Sequence, residues 1–510
     1  MMNIRVKKLL LALLSGLMLT ASFPPSPFYF LAWFALVPLL KSLENETPTA
    51  GLKLGFAAGL AHSLTLIYWV IIVMGHYGHL PLPVSVGILI LFSLYLSLYP
   101  ALFAWGASLT ARSFLGSFKT AALWVALEYV RANFLTGFPW CLLGHTQYRN
   151  LEAIQVADLV GTYGVSFVIV LSSALIYGLL LDKNRSRWKL EAPLVLLTLA
   201  LTLGYGFYRM SDSRPSQGSL RVAIAQGNID QSIKWNPAYQ EKTVQIYRTL
   251  TLQSRPFNPD LVVWPETAVP LFFQDGDPLA RTVLQTPREA GTHLIFGSPA
   301  YKRRGGSVSF FNRAYLASPD AQILGSYDKV HLVPFGEYVP LKRFLPFVQR
   351  LVAAAGDFLP GDSQTPLKFP KAAAGILICF ESIFPELGRA MTANGAALLV
   401  NLTNDAWYGM SSAPYQHFSM AVFRAVENRR PVIRAANTGI SAFILPNGRI
   451  LEQSGLFTET LLTREIPLPY PGLTLYTRYG DFFAIVLTIF SAVNIFFAYW
   501  YTRKQTRSMR

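Results

Sequence analysis

Cysteine is the scarcest reactive residue in this chain. Its 510 residues hold two, Cys141 and Cys379, too few and too far apart for a disulfide framework. Charge is scarce as well: 14% of residues are Asp, Glu, Lys or Arg, against about 25% in an ordinary soluble domain. Part of the chain is therefore expected in lipid. No His, Cys and Asp spacing matches a metal site. No glycine-rich loop matches a nucleotide cradle, and no basic stripe interleaved with aromatics matches a nucleic-acid surface. Metals, cofactors and nucleic acid are accordingly not expected, and the chain has no internal repeat or low-complexity tract.

What charge there is lies unevenly. The net charge is +16, yet residues 215–476 carry 24 Lys+Arg against 19 Asp+Glu, and the remainder 20 against 9. The excess belongs to the apolar part, where Lys and Arg set orientation. Apolar runs fall at 9–23, 28–43, 52–74, 84–109, 120–135, 160–181, 193–208 and 482–501, each near the length that crosses a bilayer core. The first reads as a membrane helix rather than a signal peptide, because no cleavage site precedes Pro24-Pro25. Starting inside and alternating places fifteen Lys and Arg on the cytoplasmic side and five opposite. The expectation is a polytopic α-helical membrane domain of about eight transmembrane helices. Seven lie in 1–210 and the last at 481–501, followed by a basic cytoplasmic tail at 502–510.

The insert 219–469 then lies outside the cytoplasm. Short β-type runs recur in it, at 220–225, 261–264, 293–297, 313–317, 323–332, 375–379, 397–402, 432–435 and 441–445. Helical patterns at 239–253, 385–394 and 416–429 alternate with them, the signature of one α/β domain.

Three ends of these runs carry chemistry. Gly375-Ile376-Leu377-Ile378 reads as a strand that stops at Cys379, and Pro385 and Glu386 open a helix. A thiol at such an elbow is either an inert core cysteine or a nucleophile near backbone N–H groups. Leu261-Val262-Val263-Trp264-Pro265 presents Glu266, and Lys329 lies in the run 323–332. Each alone has a structural explanation. Together they supply a thiol, a proton acceptor and a cation for a tetrahedral oxyanion, the set acyl transfer requires.

Trp264-Pro265-Glu266, the segment from Tyr327 through Lys329 to Glu337, and Cys379-Phe380-Glu381 resemble the Glu–Lys–Cys motifs of the nitrilase (carbon–nitrogen hydrolase) superfamily. With the membrane frame and the run 401–409, the chain is similar over essentially its whole length to the bacterial apolipoprotein N-acyltransferases. That resemblance implies an αββα sandwich on eight membrane helices of the inner membrane, facing the periplasm. It implies a thioester acyl-enzyme that takes an acyl chain from a phospholipid, chiefly phosphatidylethanolamine. The acyl chain then passes to the N-terminal amine of a diacylglyceryl-cysteine apolipoprotein. By position, Cys379 would be the nucleophile, Glu266 the general base, Lys329 the oxyanion stabiliser and Glu337 a supporting glutamate. Phe380 stands where the family often has Tyr, and Glu381 would orient the elbow. A membrane-anchored amidase or esterase of the same superfamily is the alternative.

Further candidates are less specific. The segment 340–352 mixes basic residues with Phe344 and Phe347 and reads as an interfacial arm over the site. Trp235 and Trp407 are candidate cleft residues. Glu128 and Arg131 lie three apart, as an ion pair on one helix face would, with Trp140 and His145 nearby as lipid head-group contacts. His331 and His417 read as structural.

Overall fold

The computed structural model describes residues 3–111, 113–182, 185–211, 216–304, 307–339, 358–469 and 472–508. The chain divides into two compact units. One holds residues 1–71, 81–212 and 479–510; the other holds 72–80 and 213–478.

The first unit is helical. Leu82–Thr110, Ala157–Leu180, Trp188–Ser211 and Phe482–Tyr501 are long and apolar enough to cross a membrane. Pro48–Leu66 makes a fifth candidate only together with the bent continuation Val70–Tyr77, whose residues 72–77 are counted with the other unit. The eight expected spans are therefore not all continuous apolar helices. Ile4–Ala21 and Gly116–Asn133 have 18 residues each, but each carries three ionisable side chains: Arg5, Lys7 and Lys8 in one, Lys119, Glu128 and Arg131 in the other. The run at 28–43 is broken into a 3-10 turn, Tyr29–Trp33, and a six-residue helix, Val37–Ser42. Such a segment falls short of the about 30 Å hydrocarbon core. Small residues let these helices pack closely. A Cβ on Gly55 would lie 2.3 Å from the Pro100 carbonyl oxygen.

The second unit carries two six-stranded sheets. Strands β1 (Ser219–Gln226), β2 (Leu261–Val263), β3 (His293–Arg304), β4 (Ser307–Ala317), β5 (Ile323–Asp328) and β12 (Thr460–Pro467) form one, in the order β12-β1-β2-β3-β4-β5. Strands β6 (Leu367–Phe369), β7 (Ala372–Ile378), β8 (Leu398–Thr403), β9 (Val432–Ala436), β10 (Ala442–Ile444) and β11 (Ile450–Gln453) form the other, in the order β11-β10-β9-β8-β7-β6. β1-β2-β3 and β7-β8-β9 run parallel. Parallel pairs need crossovers, which the helices Pro237–Gln253, Pro278–Ala290, Pro385–Ala393 and Ala413–Asn428 provide. β1 is buried on both faces because alternate residues serve different layers. Ala223 and Ala225 pack with Val244 and Tyr247 of a helix, while Val222 and Ile224, equally buried, point the other way. This is the α/β domain anticipated from the strand and helix alternation. β6, β11, β12 and the helix Pro278–Ala290 are additional elements, and the run at 323–332 ends as a strand at Asp328.

Candidate active site

Glu266, Lys329 and Cys379 all sit just beyond the C-terminal ends of strands, where α/β folds place their crevices. Glu266 follows β2. Its neighbour Trp264 is fully buried, stacks on Tyr247 at 5.3 Å and donates its indole N–H to Thr251 Oγ1 at 2.8 Å. That anchor fixes the end of β2. On the neighbouring strand β3 only a glycine fits: a Cβ on Gly297 would lie 2.9 Å from the Glu266 Cα. Lys329 directly follows β5. Its N–H donates to the Asn312 carbonyl at 2.9 Å, and its own carbonyl accepts from Gly361 N–H at 2.8 Å.

The Lys329 ammonium is 1% exposed and lies 2.8 Å from Glu337 Oε2 and 3.8 Å from Glu266 Oε1. The Asn312 side-chain amide donates to Glu266 Oε1 at 2.8 Å and to Glu337 Oε1 at 3.0 Å. Val333 N–H donates to Glu337 Oε2 at 2.8 Å. Burial lowers the affinity of Lys329 for its proton, but Glu337 and Glu266 more than offset this and hold its pKa above the ordinary lysine range. Lys329 is thus a permanent cation.

Cys379 ends β7 at φ 52°, in the left-handed region that a non-glycine residue enters only when its surroundings compel it. The residues behind it supply the compulsion. The Cys379 carbonyl accepts from Ser382 Oγ–H at 3.0 Å and lies 3.2 Å from His417 Nε2. His417 Nδ1 lies 2.9 Å from Asp405 Oδ1, and Arg434 donates to Asp405 Oδ2 at 2.7 Å. Burial, aided by Arg434, lowers the His417 pKa, which suits a structural role.

Glu381 joins the two sheets at this point. Fully buried, it accepts Ile378 N–H at 2.6 Å on Oε2. On Oε1 it accepts Tyr327 O–H at 2.9 Å, Val330 N–H at 2.7 Å and His331 N–H at 3.1 Å. One carboxyl therefore holds the Cys379 elbow against the Lys329 loop. Burial pushes it up to about 7, with the Ile378 N–H and Lys329 opposing. Phe380 packs edge-on against Phe384 at 5.1 Å, and His331 stacks on Phe384 at 3.7 Å. Burial and then Lys329 bring His331 down to about 4, so it is neutral at physiological pH.

Burial, reinforced by Glu266 and opposed by Lys329, pushes the Cys379 thiol up to about 12. The resting thiol is protonated. Attack requires its proton to leave as the new bond forms, and a carboxylate in the site can take it.

The remaining candidates divide. Trp235 is half exposed and lines a cleft of about 440 Å³ with Phe272, Phe310 and Phe358. Trp407 packs edge-on against Tyr77 at 5.6 Å, a residue of the 72–80 segment that belongs to this unit. Phe344, Phe347 and the rest of the 340–352 arm lie outside the described residues. Glu128 and Arg131 do not form the anticipated ion pair among the described residues: Glu128 accepts Leu143 N–H at 2.7 Å, and Arg131 donates to the Cys141 carbonyl at 3.3 Å. Trp140 and His145 are both buried. Sequence reasoning missed Asn312. Its signal is an amide inside the apolar run Phe310-Phe311-Asn312, on a strand expected only from 313. It also missed Lys234, which follows Ile233 in a loop. Among the described residues no cluster of His, Cys, Asp and Glu is arranged to hold a metal.

Residues 15–175 match the family described as apolipoprotein N-acyltransferase N-terminal domain, and residues 221–474 that described as carbon-nitrogen hydrolase. An amidase of the nitrilase superfamily from Nesterenkonia aligns at 22% identity and a TM-score of 0.38, over 50% of this chain and 94% of its own. A protein named apolipoprotein N-acyltransferase from Methylococcus capsulatus is 34% identical, covering 94% of each chain. Another of that name, from Geobacter metallireducens, is 47% identical over 93% of this chain and 92% of its own. With that identity along nearly its full length, the chain belongs to the apolipoprotein N-acyltransferase family.

Proposed function

We infer that this enzyme transfers an acyl chain from a phospholipid, chiefly phosphatidylethanolamine, to the N-terminal amine of diacylglyceryl-cysteine apolipoproteins. The observation that carries the reading is the buried Lys329 ammonium 2.8 Å from Glu337 and 3.8 Å from Glu266, together with a cysteine held at positive φ. In the first step Cys379 Sγ attacks the ester carbonyl carbon. Glu266 accepts the thiol proton and Lys329 stabilises the tetrahedral oxyanion. Collapse breaks the bond to the glycerol oxygen, which takes the proton from Glu266 and leaves as lysophospholipid. In the second step the amine attacks the thioester and Glu266 accepts its proton. The Cys379 sulfur leaves and recovers that proton, completing a ping-pong cycle. An N-terminal amine has a pKa of about 8, so a neutral fraction is available for attack. Glu337 and Glu381 hold the cation and the elbow. Phe380 packs the mouth, while Trp235, Trp407, Phe344 and Phe347 contact the lipid.

The same reading has residues 1–210 carry seven membrane helices and 481–501 the eighth, with 502–510 in the cytoplasm. The catalytic domain at 219–469 then faces the periplasm from the inner membrane. The positive-inside bias supports this orientation. Incubation with radiolabelled phosphatidylethanolamine is expected to leave hydroxylamine-labile label on the wild type and none on Cys379→Ala. Label persisting on the alanine variant would refute the mechanism.

A further inference from the structure

The site's charges do not balance without a residue outside the Glu–Lys–Cys set. Lys329 serves two carboxylates, Glu266 and Glu337. Asp405 is compensated separately by Arg434 at 2.7 Å. The Glu266–Lys329–Glu337 cluster therefore carries one negative charge in excess before the thiol loses its proton. A thiolate or a tetrahedral oxyanion would add a second, in a pocket where burial already disfavours charge.

A second ammonium is buried at the same place. Lys234 is 2% exposed and donates to the Glu266 carbonyl oxygen at 3.1 Å. Among the described residues that neutral oxygen is its one hydrogen-bond acceptor, and it forms no ion pair. Of a lysine's three N–H donors, this contact uses one. Its loop is pinned. Asn437 Oδ1 accepts Ile229 N–H at 2.8 Å, the Asn437 carbonyl accepts Asn228 N–H at 3.0 Å, and Asn404 Nδ2 donates to Gln231 Oε1 at 2.6 Å. The ammonium is thus held in place before substrate arrives. Burial pushes Lys234 down to about 8 while Glu266 and Cys379 pull it upward, so it senses both the base and the nucleophile.

We propose that Lys234 is a positioning residue of the acyl-transfer site: it holds Glu266 by its backbone carbonyl and supplies the positive charge that balances the Cys379 thiolate and the oxyanion. This rests on Cys379 being the nucleophile. The test compares Lys234→Met and Lys234→Arg with the full-length wild type in detergent. Two rates are followed by mass spectrometry of the Cys379 peptide: alkylation by iodoacetamide across pH 7–10, and acyl-adduct formation from phosphatidylethanolamine. The Met variant is expected to lose about tenfold or more in both at pH 7, the difference in alkylation closing as Lys234 itself loses its proton above about pH 8. The Arg variant, which keeps the charge, is expected to return to within about threefold of wild type. A merely structural lysine would lower the melting midpoint and leave the alkylation profile in place. Should the Met variant fail to fold, Lys234→Gln against Lys234→Arg makes the same comparison. A charge-free variant that alkylates and acylates like wild type overturns the proposal. Absence of any adduct on wild-type Cys379 would instead overturn the acyl-enzyme reading beneath it.

Discussion

Glu381→Gln tests how the two sheets are locked together at the nucleophile. The glutamine amide has one oxygen and one NH2 where the carboxylate has two acceptor oxygens. If the oxygen keeps Tyr327, Val330 and His331, the NH2 meets the Ile378 N–H. If the amide flips, the NH2 meets two N–H groups and a phenol instead. Either way at least one buried backbone N–H is left unpaired, at about 1–3 kcal/mol. Above about pH 8, where the carboxyl that burial holds near 7 is ionised, three bonds to a full charge become bonds to a neutral oxygen, losing about 1 kcal/mol each. The sum is about 4–6 kcal/mol, set against about 5–15 kcal/mol for a whole domain. For a unit of this size that corresponds to a fall of about 8–24 °C in the apparent melting midpoint. Because the elbow is then free to shift, kcat should drop about 100-fold. Tryptophan fluorescence on heating in detergent, with the rate of acyl-adduct formation, gives both numbers. Tyr327→Phe, which removes one donor and leaves the carboxylate, is the internal control and should fall by less than half as much. If Glu381→Gln melts within about 2 °C of wild type, or higher than Tyr327→Phe, the four bonds do not lock the elbow and the reasoning fails.

Asn312→Leu removes one donor from each of Glu266 and Glu337. Loss of the bond to Glu266, at about 1.5–3 kcal/mol for a charge-assisted bond, should cost kcat about 10–100-fold, with KM moving less; steady-state kinetics would show the split. The Cys379 thiol, pushed up to about 12 by burial and Glu266, should alkylate at neutral pH about a thousandfold more slowly than a free cysteine. Its rate should rise with pH well beyond 9, and a plateau below pH 8.5 would contradict the assignment. Tyr77→Ala removes an edge-on ring contact with Trp407 worth about 0.5–1.5 kcal/mol. It should leave the melting midpoint nearly unmoved while red-shifting Trp407 emission, measured against a Trp407→Phe blank.

The candidate set was legible in part because strand ends are where short apolar runs stop at a polar residue, as they do at Glu266 and Cys379, whereas Lys329 read as lying inside the run 323–332. The α/β alternation of the insert was legible for the same local reason. The edge strands β6, β11 and β12 were not, since Leu367–Phe369 and Ile450–Gln453 are too short and mixed to show a period. The helix Pro278–Ala290 escaped because its buried face is carried by small or atypical residues, Ala280, Val283, Thr286 and Pro287. Membrane spans were read from hydropathy alone, which does not see the break between Trp33 and Val37 or the 53° bend after Leu66.

What the linear chain determined was which groups could do chemistry and that they belong to an apolar frame, because composition and strand termination are local properties. Which charges meet was decided by tertiary structure. Glu337 rather than Glu266 takes the short contact with Lys329, Asn312 bridges the two carboxylates, and Glu381 straps one sheet's elbow to the other's loop. Lys234, silent in the sequence, becomes a buried cation against Glu266. Those pairings join residues that lie up to 54 positions apart in the Glu381 bonds alone. Burial gives each of them its strength, and neither distance nor burial is written in any short stretch of the chain.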